Sequence, residues 1–295
     1  MKGIMIFVLL LSLLLVFLSF MPAVWATRFN RASMIYSSVW LTPDGAAELY
    51  VEWACNDIYR LFTGEYTIAE YYYDHVENFH AQAYWNIMSG KIEHCEQSHT
   101  FATVLYIGHG GFVNMGNYYR YSIFEHRGDD NWSNPPPAIN DVMIYEKTVN
   151  GKHRFIFLWA CRQGNEPGSS TPAIHGMAYC WTRQPNLSDD GYDRPDSRPY
   201  CFISFQNASQ WLNASISANS NHKHWLVFFY YYALNGYSIN RALDRACQAV
   251  GYSGWKDSPL YKGFKMHWPF QGPEPPGYYA GKMRIFGNGN IYLVG

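Results

Sequence analysis

The chain predicts an α/β fold: a three-layer α/β/α sandwich built around a mainly parallel sheet. Three observations lead there. Strand-type and helix-type runs alternate along most of the chain, the order that a parallel sheet with helices on both faces requires. Two runs, Phe101–Gly111 (FATVLYIGHGG) and Arg154–Gly164 (RFIFLWACRQG), open on nearly unbroken apolar stretches, as strands buried on both faces do. No internal repeat, linker or low-complexity tract divides residues 27–295, which read as one domain.

Taken in order, Met34–Leu41 (MIYSSVWL) reads as the first strand and Thr42-Pro43-Asp44-Gly45 as the turn into a helix. Ala46–Phe62 repeats Leu49, Trp53, Ile58 and Leu61 at helical spacing. Tyr66–Tyr73 reads as a second strand and Glu77–Ile92 as a second helix, followed by the strand that starts at Phe101. Asn114–Lys152 carries few signals. Its proline run within Asp129–Pro137 (DDNWSNPPP) excludes regular structure and suits a loop over the active edge of the sheet. After the strand from Arg154, Gly164–Pro172 is a loop leading into a short helix, Ala173–Trp181. Cys201–Asn207 is a further strand. His224–Asn235 and Ser238–Val250 read as helices, the second with Ser238 as N-cap and Gly251 as its stop. Tyr252–Gly281 reads as irregular, and Arg284–Phe286 and Ile291–Val294 as short closing strands.

Residues 1–26 stand apart from the fold. Lys2 supplies a positive start, Ile4–Phe20 is apolar except for Ser12 and Ser19, and Val24-Trp25-Ala26 suits cleavage. This pattern reads as a secretory signal; the alternative is an uncleaved anchor, since the run approaches a short membrane span. Export, with or without an anchor on the outer membrane face, is the resulting expectation. Four Asn-X-Ser sequons, at Asn131, Asn186, Asn207 and Asn213, are then candidate glycosylation sites.

Composition narrows the partners. A formal net charge of −1 provides no electrostatic footprint for nucleic acid. Aromatic residues make up 18% of the chain and charged residues 15%, which fits either an aromatic core or a Tyr-rich binding surface. No CxxC and no His/Cys cluster has zinc spacing, so neither a metal nor another cofactor is expected. In an oxidising compartment the six cysteines allow disulfides. Cys180 and Cys201 bracket a polar insertion and are the favoured pair, with Cys55–Cys95 a second choice.

The chemistry concentrates where the two apolar runs end, one in His109-Gly110-Gly111 and the other in Ala160-Cys161. Ligands bind at the carboxyl ends of parallel strands, and a thiol with a nearby imidazole supplies a nucleophile and its base. The chain contains its own controls. His175-Gly176 follows a Ser/Thr/Pro loop, while Ala54-Cys55 and Ala246-Cys247 lie in helix-type segments. Only His109 and Cys161 follow strand-type runs.

Those two strand ends resemble the caspase, legumain, gingipain and clostripain cysteine peptidases. Trp159-Ala160-Cys161-Arg162-Gln163-Gly164 is similar to the caspase nucleophile motif. Gly236–Ala246 (GYSINRALDRA) and Met283–Gly295 (MRIFGNGNIYLVG) look more like gingipain-type catalytic domains, although Asn288 replaces their usual Asp. The resemblance runs from about residue 32 to the C-terminus. It implies a caspase-like fold, a His109/Cys161 dyad, an acyl-thioester intermediate, oxyanion donors at Gly110 and Cys161, and a peptide or protein substrate. Candidate substrate contacts are Gly111, Glu166, Trp181 and Trp211; Asp74, Asp189, Asp190 and Asp193 could also floor a basic pocket, with none singled out. Two alternatives stay open: a transpeptidase on the same site, and an exported pseudoenzyme or surface glycoprotein that keeps the fold for binding.

Overall fold

The computed structural model describes residues 31–38, 46–64, 76–114, 119–125, 138–165, 176–265 and 280–294. The N-terminal segment, the Thr42–Gly45 turn, the strand expected at Tyr66–Tyr73, the Asp129–Pro137 loop, Asn131, Glu166 and His175 lie outside them.

Twelve strands and seven α-helices are described. The strands are β1 (Arg31–Ser38), β2 (Val76–Gln82), β3 (Phe101–Gly108), β4 (Gly110–Asn114), β5 (Tyr119–Phe124), β6 (Ala138–Asn140), β7 (His153–Trp159), β8 (Cys201–Gln206), β9 (Ser215–Ser217), β10 (Ser220–Asn221), β11 (Phe264–Lys265) and β12 (Ala280–Gly287). The helices are α1 (Ala46–Phe62), α2 (Trp85–Ser98), α3 (Asp141–Lys147), α4 (Gly176–Thr182), α5 (His222–Leu234), α6 (Ile239–Ala249) and α7 (Pro259–Lys262). Seven strands form one sheet in the order β11-β12-β8-β7-β3-β1-β2. The pairs from β8 to β2 are parallel, and β12 and β11 add an antiparallel edge.

Alternation along each strand fills two separate cores. Ile35, Leu105, Phe157 and Ile203 face a layer made by α1, α5 and α6. Met34, Val104, Leu158 and Phe202 face α2, α3 and α4. With both faces covered, the strands must be apolar throughout, which is why β3 and β7 stand out in the sequence. The expected α/β/α sandwich with a mainly parallel sheet is the architecture observed.

Several local expectations are corrected. Glu77–Gln82 is strand, not helix: it completes the parallel edge against β1, with Phe79 opposite Met34. The helix starts at Trp85 and buries Met88, Ile92 and Cys95. Helix α1 has the expected bounds, but Leu49 and Trp53 are exposed; its buried stripe runs through Val51, Ala54, Cys55 and Ile58. Within the segment of few signals, β5 and β6 join β4, which ends where that segment begins, in a small antiparallel sheet. At the C-terminus, Ile291–Val294 contributes only an isolated bridge, Tyr292 to Ser238, instead of a strand.

The disulfide expectation is also overturned. All six cysteines are buried free thiols. Cys180 packs in one core and Cys201 in the other, and the same holds for Cys95 and Cys55. Each expected pair is therefore divided by the sheet, beyond the reach of a disulfide.

Candidate active site

Strands β3 and β7 are adjacent and parallel, with Ile107 opposite Trp159. His109 and Cys161 each lie two residues further on, so the fold delivers both to the same carboxyl edge of the sheet. Trp211 links them. Its ring meets the His109 imidazole edge-on, with centroids 6.1 Å apart at 82°, and it packs against the small apolar cluster formed by Cys161 and Ala208.

His109 is held through its main chain. Its N–H donates to the Ser38 carbonyl at 3.3 Å, and its carbonyl accepts from the Phe124 N–H at 3.2 Å. The Tyr106 hydroxyl sits 2.8 Å from the His109 carbonyl and 2.9 Å from that of Phe124. Burial pushes the Tyr106 phenol well above its ordinary range, so it remains a neutral donor.

Cys161 begins a tight turn anchored on the end of β8. Arg162, at φ 65°, donates its N–H to the Asn207 carbonyl at 2.5 Å, and the Gly164 N–H reaches the Phe205 carbonyl at 2.8 Å. A side chain at Gly164 would meet the Phe205 and Ser204 backbone within 3.0 Å. Cys161 as a residue is only 9% exposed. Its sulfur accepts from the Ser209 N–H at 3.3 Å and lies 3.4 Å from the Ser209 hydroxyl. The Arg162 guanidinium lies over the Phe112 ring, 4.4 Å from its centroid.

Gln163 joins the two halves of the site. Its buried amide nitrogen lies 2.8 Å from the Cys161 carbonyl and 3.0 Å from the carbonyls of both Gly111 and Ser122. This ties the nucleophile turn to the β4–β5 hairpin, which continues directly from His109.

Glycine at 110 answers to the same packing. A Cβ there would lie 2.8 Å from the Cys161 carbonyl and 3.0 Å from the Ala160 Cβ. A Cβ at Gly111 would make only ordinary contact with Phe124, at 3.5 Å. In the β4–β5 ladder the register pairs Gly110 with Ile123, one place beyond the bond between the Phe124 N–H and the His109 carbonyl. By the alternation of antiparallel pairing, the Gly110 N–H turns away from β5.

The other expected contacts divide sharply. Trp181 is wholly enclosed and meets His153 edge-on at 5.4 Å. His153 opens β7, at the end of the strand opposite Cys161, so Trp181 is a core residue and not a pocket wall. Asp189, Asp190 and Asp193 are paired with Arg284, Arg194 and Lys256 of the same chain, which disfavours them as the floor of a basic pocket. A cleft beside the nucleophile turn is lined by Gln163, Asn165, Met177, Leu187, Asp189 and Phe286, among others. Among the sequons, Asn186 and Asn213 are exposed, while Asn207 is partly buried and its backbone is bonded to the Cys161 turn.

Ser209 and Gln163 escaped the sequence reading. A signal was available: Asn207–Trp211 follows β8, which runs parallel beside β7, and therefore reaches the same carboxyl edge.

No family model matches the chain, and neither does any curated protein. Among solved structures it is similar to the Drosophila initiator caspase Dronc, at 9% identity and a TM-score of 0.40, over 90% of this chain and 83% of that one. It is also similar to caspase-1 from Spodoptera frugiperda, at 10% identity and a TM-score of 0.40, over 89% of this chain and 92% of that one. At these scores the likeness carries nothing about chemistry.

Proposed function

We propose that this protein is an exported cysteine endopeptidase in which Cys161 is the nucleophile and His109 the acid–base partner. The observation that carries this reading is the shared edge of β3 and β7, where Trp211 meets the His109 ring and packs against the cluster of Cys161 and Ala208. The Cys161 sulfur, as thiolate, attacks the scissile carbonyl carbon. The carbonyl oxygen takes up negative charge facing the Gly110 and Cys161 N–H groups, a term worth about 2.7–4 kcal/mol per donor in acyl transfer. His109 protonates the departing amine as the C–N bond breaks, leaving an acyl-thioester. Water then attacks the thioester with His109 as base, releasing the acid and restoring the thiol. The neighbouring cleft has a mixed lining, with Met177, Leu187 and Phe286 beside Gln163, Asn165 and Asp189, and singles out no class of substrate side chain. The apolar N-terminal stretch and the sequons support export, with the exposed Asn186 and Asn213 the best-placed glycan acceptors.

A second reading, a binding protein that keeps the fold, is favoured by the burial of Cys161, whose sulfur lies beside the Ser209 hydroxyl. Incubation of the reduced protein with a peptide library, followed by mass spectrometry, separates the two. Cleavage that disappears in Cys161→Ala supports the peptidase; no cleavage by the wild type supports the binding protein.

A further inference from the structure

We propose that Glu77, His94 and His99 form a binding site for one divalent transition-metal ion, with zinc the best match. The site lies outside the candidate active site and does not depend on it. The fold gathers three residues that are unremarkable in sequence. Glu77 is the second residue of edge strand β2, His94 lies in the last turns of α2, and His99 follows that helix. The Nε2 atoms of His94 and His99 lie 2.8 and 3.1 Å from the same Glu77 oxygen, Oε2. All three ligand atoms fall within 4.8 Å of one another. The two imidazoles meet edge-on, with centroids 5.4 Å apart at 70°, which aims both rings toward the carboxylate.

Two imidazoles and one carboxylate suit a borderline ion such as zinc, bound about 2.0–2.2 Å from each donor. The observed separations need to widen by only a few tenths of an ångström to admit it. The His99 side chain is 8% exposed, while those of Glu77 and His94 are 43% and 44% exposed. The site is thus anchored on one side and open on the other for entry and for a water ligand. Its place argues for a structural role. It would clamp the end of α2 to β2, which among the described residues pairs with β1 alone, and such edges benefit from cover. The length of β3 separates it from His109, about 26 Å at ~3.3 Å per residue, so the ion would not take part in chemistry there. The spacing of these residues has no counterpart among sequence motifs for zinc, and the expectation of no metal arose from that.

The test uses the full chain carrying Cys161→Ala, so that the thiol of the candidate dyad cannot compete for the ion. After chelation and dialysis, zinc chloride is titrated calorimetrically, and melting is followed by circular dichroism. Saturation at one equivalent with a rise in melting temperature is expected. Adding Glu77→Gln or His94→Ala should each weaken binding at least about tenfold, since even outer-shell changes cost about 10–100-fold. His80→Ala, an exposed imidazole on the same strand, should leave it unchanged. Absence of saturable binding, or equal binding after Glu77→Gln and His94→Ala together, overturns the proposal.

Discussion

The amide of Ser209 donates to the sulfur of Cys161 at 3.3 Å, and the Ser209 hydroxyl lies 3.4 Å from the same atom. The first contact belongs to the backbone and survives any side-chain change except proline. The second belongs to the side chain and can be removed alone. If the hydroxyl donates to a reactive thiolate, Ser209→Ala should slow alkylation of Cys161 at neutral pH by up to about tenfold, because a hydrogen bond to a charged acceptor is worth ~1.5 kcal/mol. Stopped alkylation followed by peptide mapping measures this. An unchanged rate with unchanged stability would show the hydroxyl to be a bystander.

Gln163 should matter for the shape of the site as well as for stability. Gln163→Ala leaves the carbonyls of Cys161, Gly111 and Ser122 without their shared donor. A lost hydrogen bond of this kind costs about 0.5–1.5 kcal/mol. Urea unfolding should show a loss in that range, with a larger proportional fall in peptide cleavage.

The two glycines after His109 should respond differently. Gly110→Ala drives a methyl to within 2.8 Å of the Cys161 carbonyl, and overpacking of this kind costs about 1–3 kcal/mol. It should push the nucleophile turn away from His109 and abolish most activity. Gly111→Ala meets only Phe124 at 3.5 Å and should fold and cleave almost normally. Equal behaviour of the two variants in a cleavage assay would remove the packing explanation.

Acid should weaken the fold through His222. This residue is buried beside Trp159, and its Nδ1 lies 2.8 Å from the Ala214 carbonyl. Burial pushes its pKa down to about 4, against the upward pull of that hydrogen bond. The unfolded chain titrates near 6.5, so between those values it binds the extra proton. The stabilisation is complete above about pH 6.5 and is lost as pH falls toward 4, by up to about 3 kcal/mol. Urea unfolding of the wild type and His222→Gln across this range should give a shallower slope for the variant. Parallel slopes would exclude His222 as the source.

How far the sequence spoke depended on whether local pattern and tertiary environment agreed. β3 and β7 are buried on both faces, so their apolar runs announced them, and the residues closing those runs stood out. Among the described residues β2 has a single strand neighbour, and its mixed sequence merged with the helix-type segment Glu77–Ile92, so pairing with β1 is what defines it as a strand. The stripe of α1 was misplaced only at its start: Leu49 and Trp53 suit a buried face by type yet are exposed, whereas Ile58 and Leu61 are buried as read. Cysteine pairing depends on which face of the sheet a side chain enters, and spacing along the chain does not report that. Ser209 and Gln163 act through contacts 48 and 52 residues away, a separation that local pattern does not span.

The most direct measurement is site-resolved thiol labelling. The folded, reduced wild type is exposed briefly to a peptidyl thiol-directed probe near neutral pH, alongside Cys161→Ala, His109→Ala, Cys55→Ala and Cys247→Ala, and modified peptides are mapped. Burial pushes the Cys55 thiol up to about 12 and the Cys247 thiol up to about 11, so both should stay unlabelled and their variants should behave as wild type. Cys161 should be labelled, and the label should vanish in Cys161→Ala. In His109→Ala it should fall by orders of magnitude, as loss of acid–base help worth about 10²–10⁴-fold implies. No label on Cys161 in the folded wild type, or the same rate with and without His109, would contradict the peptidase.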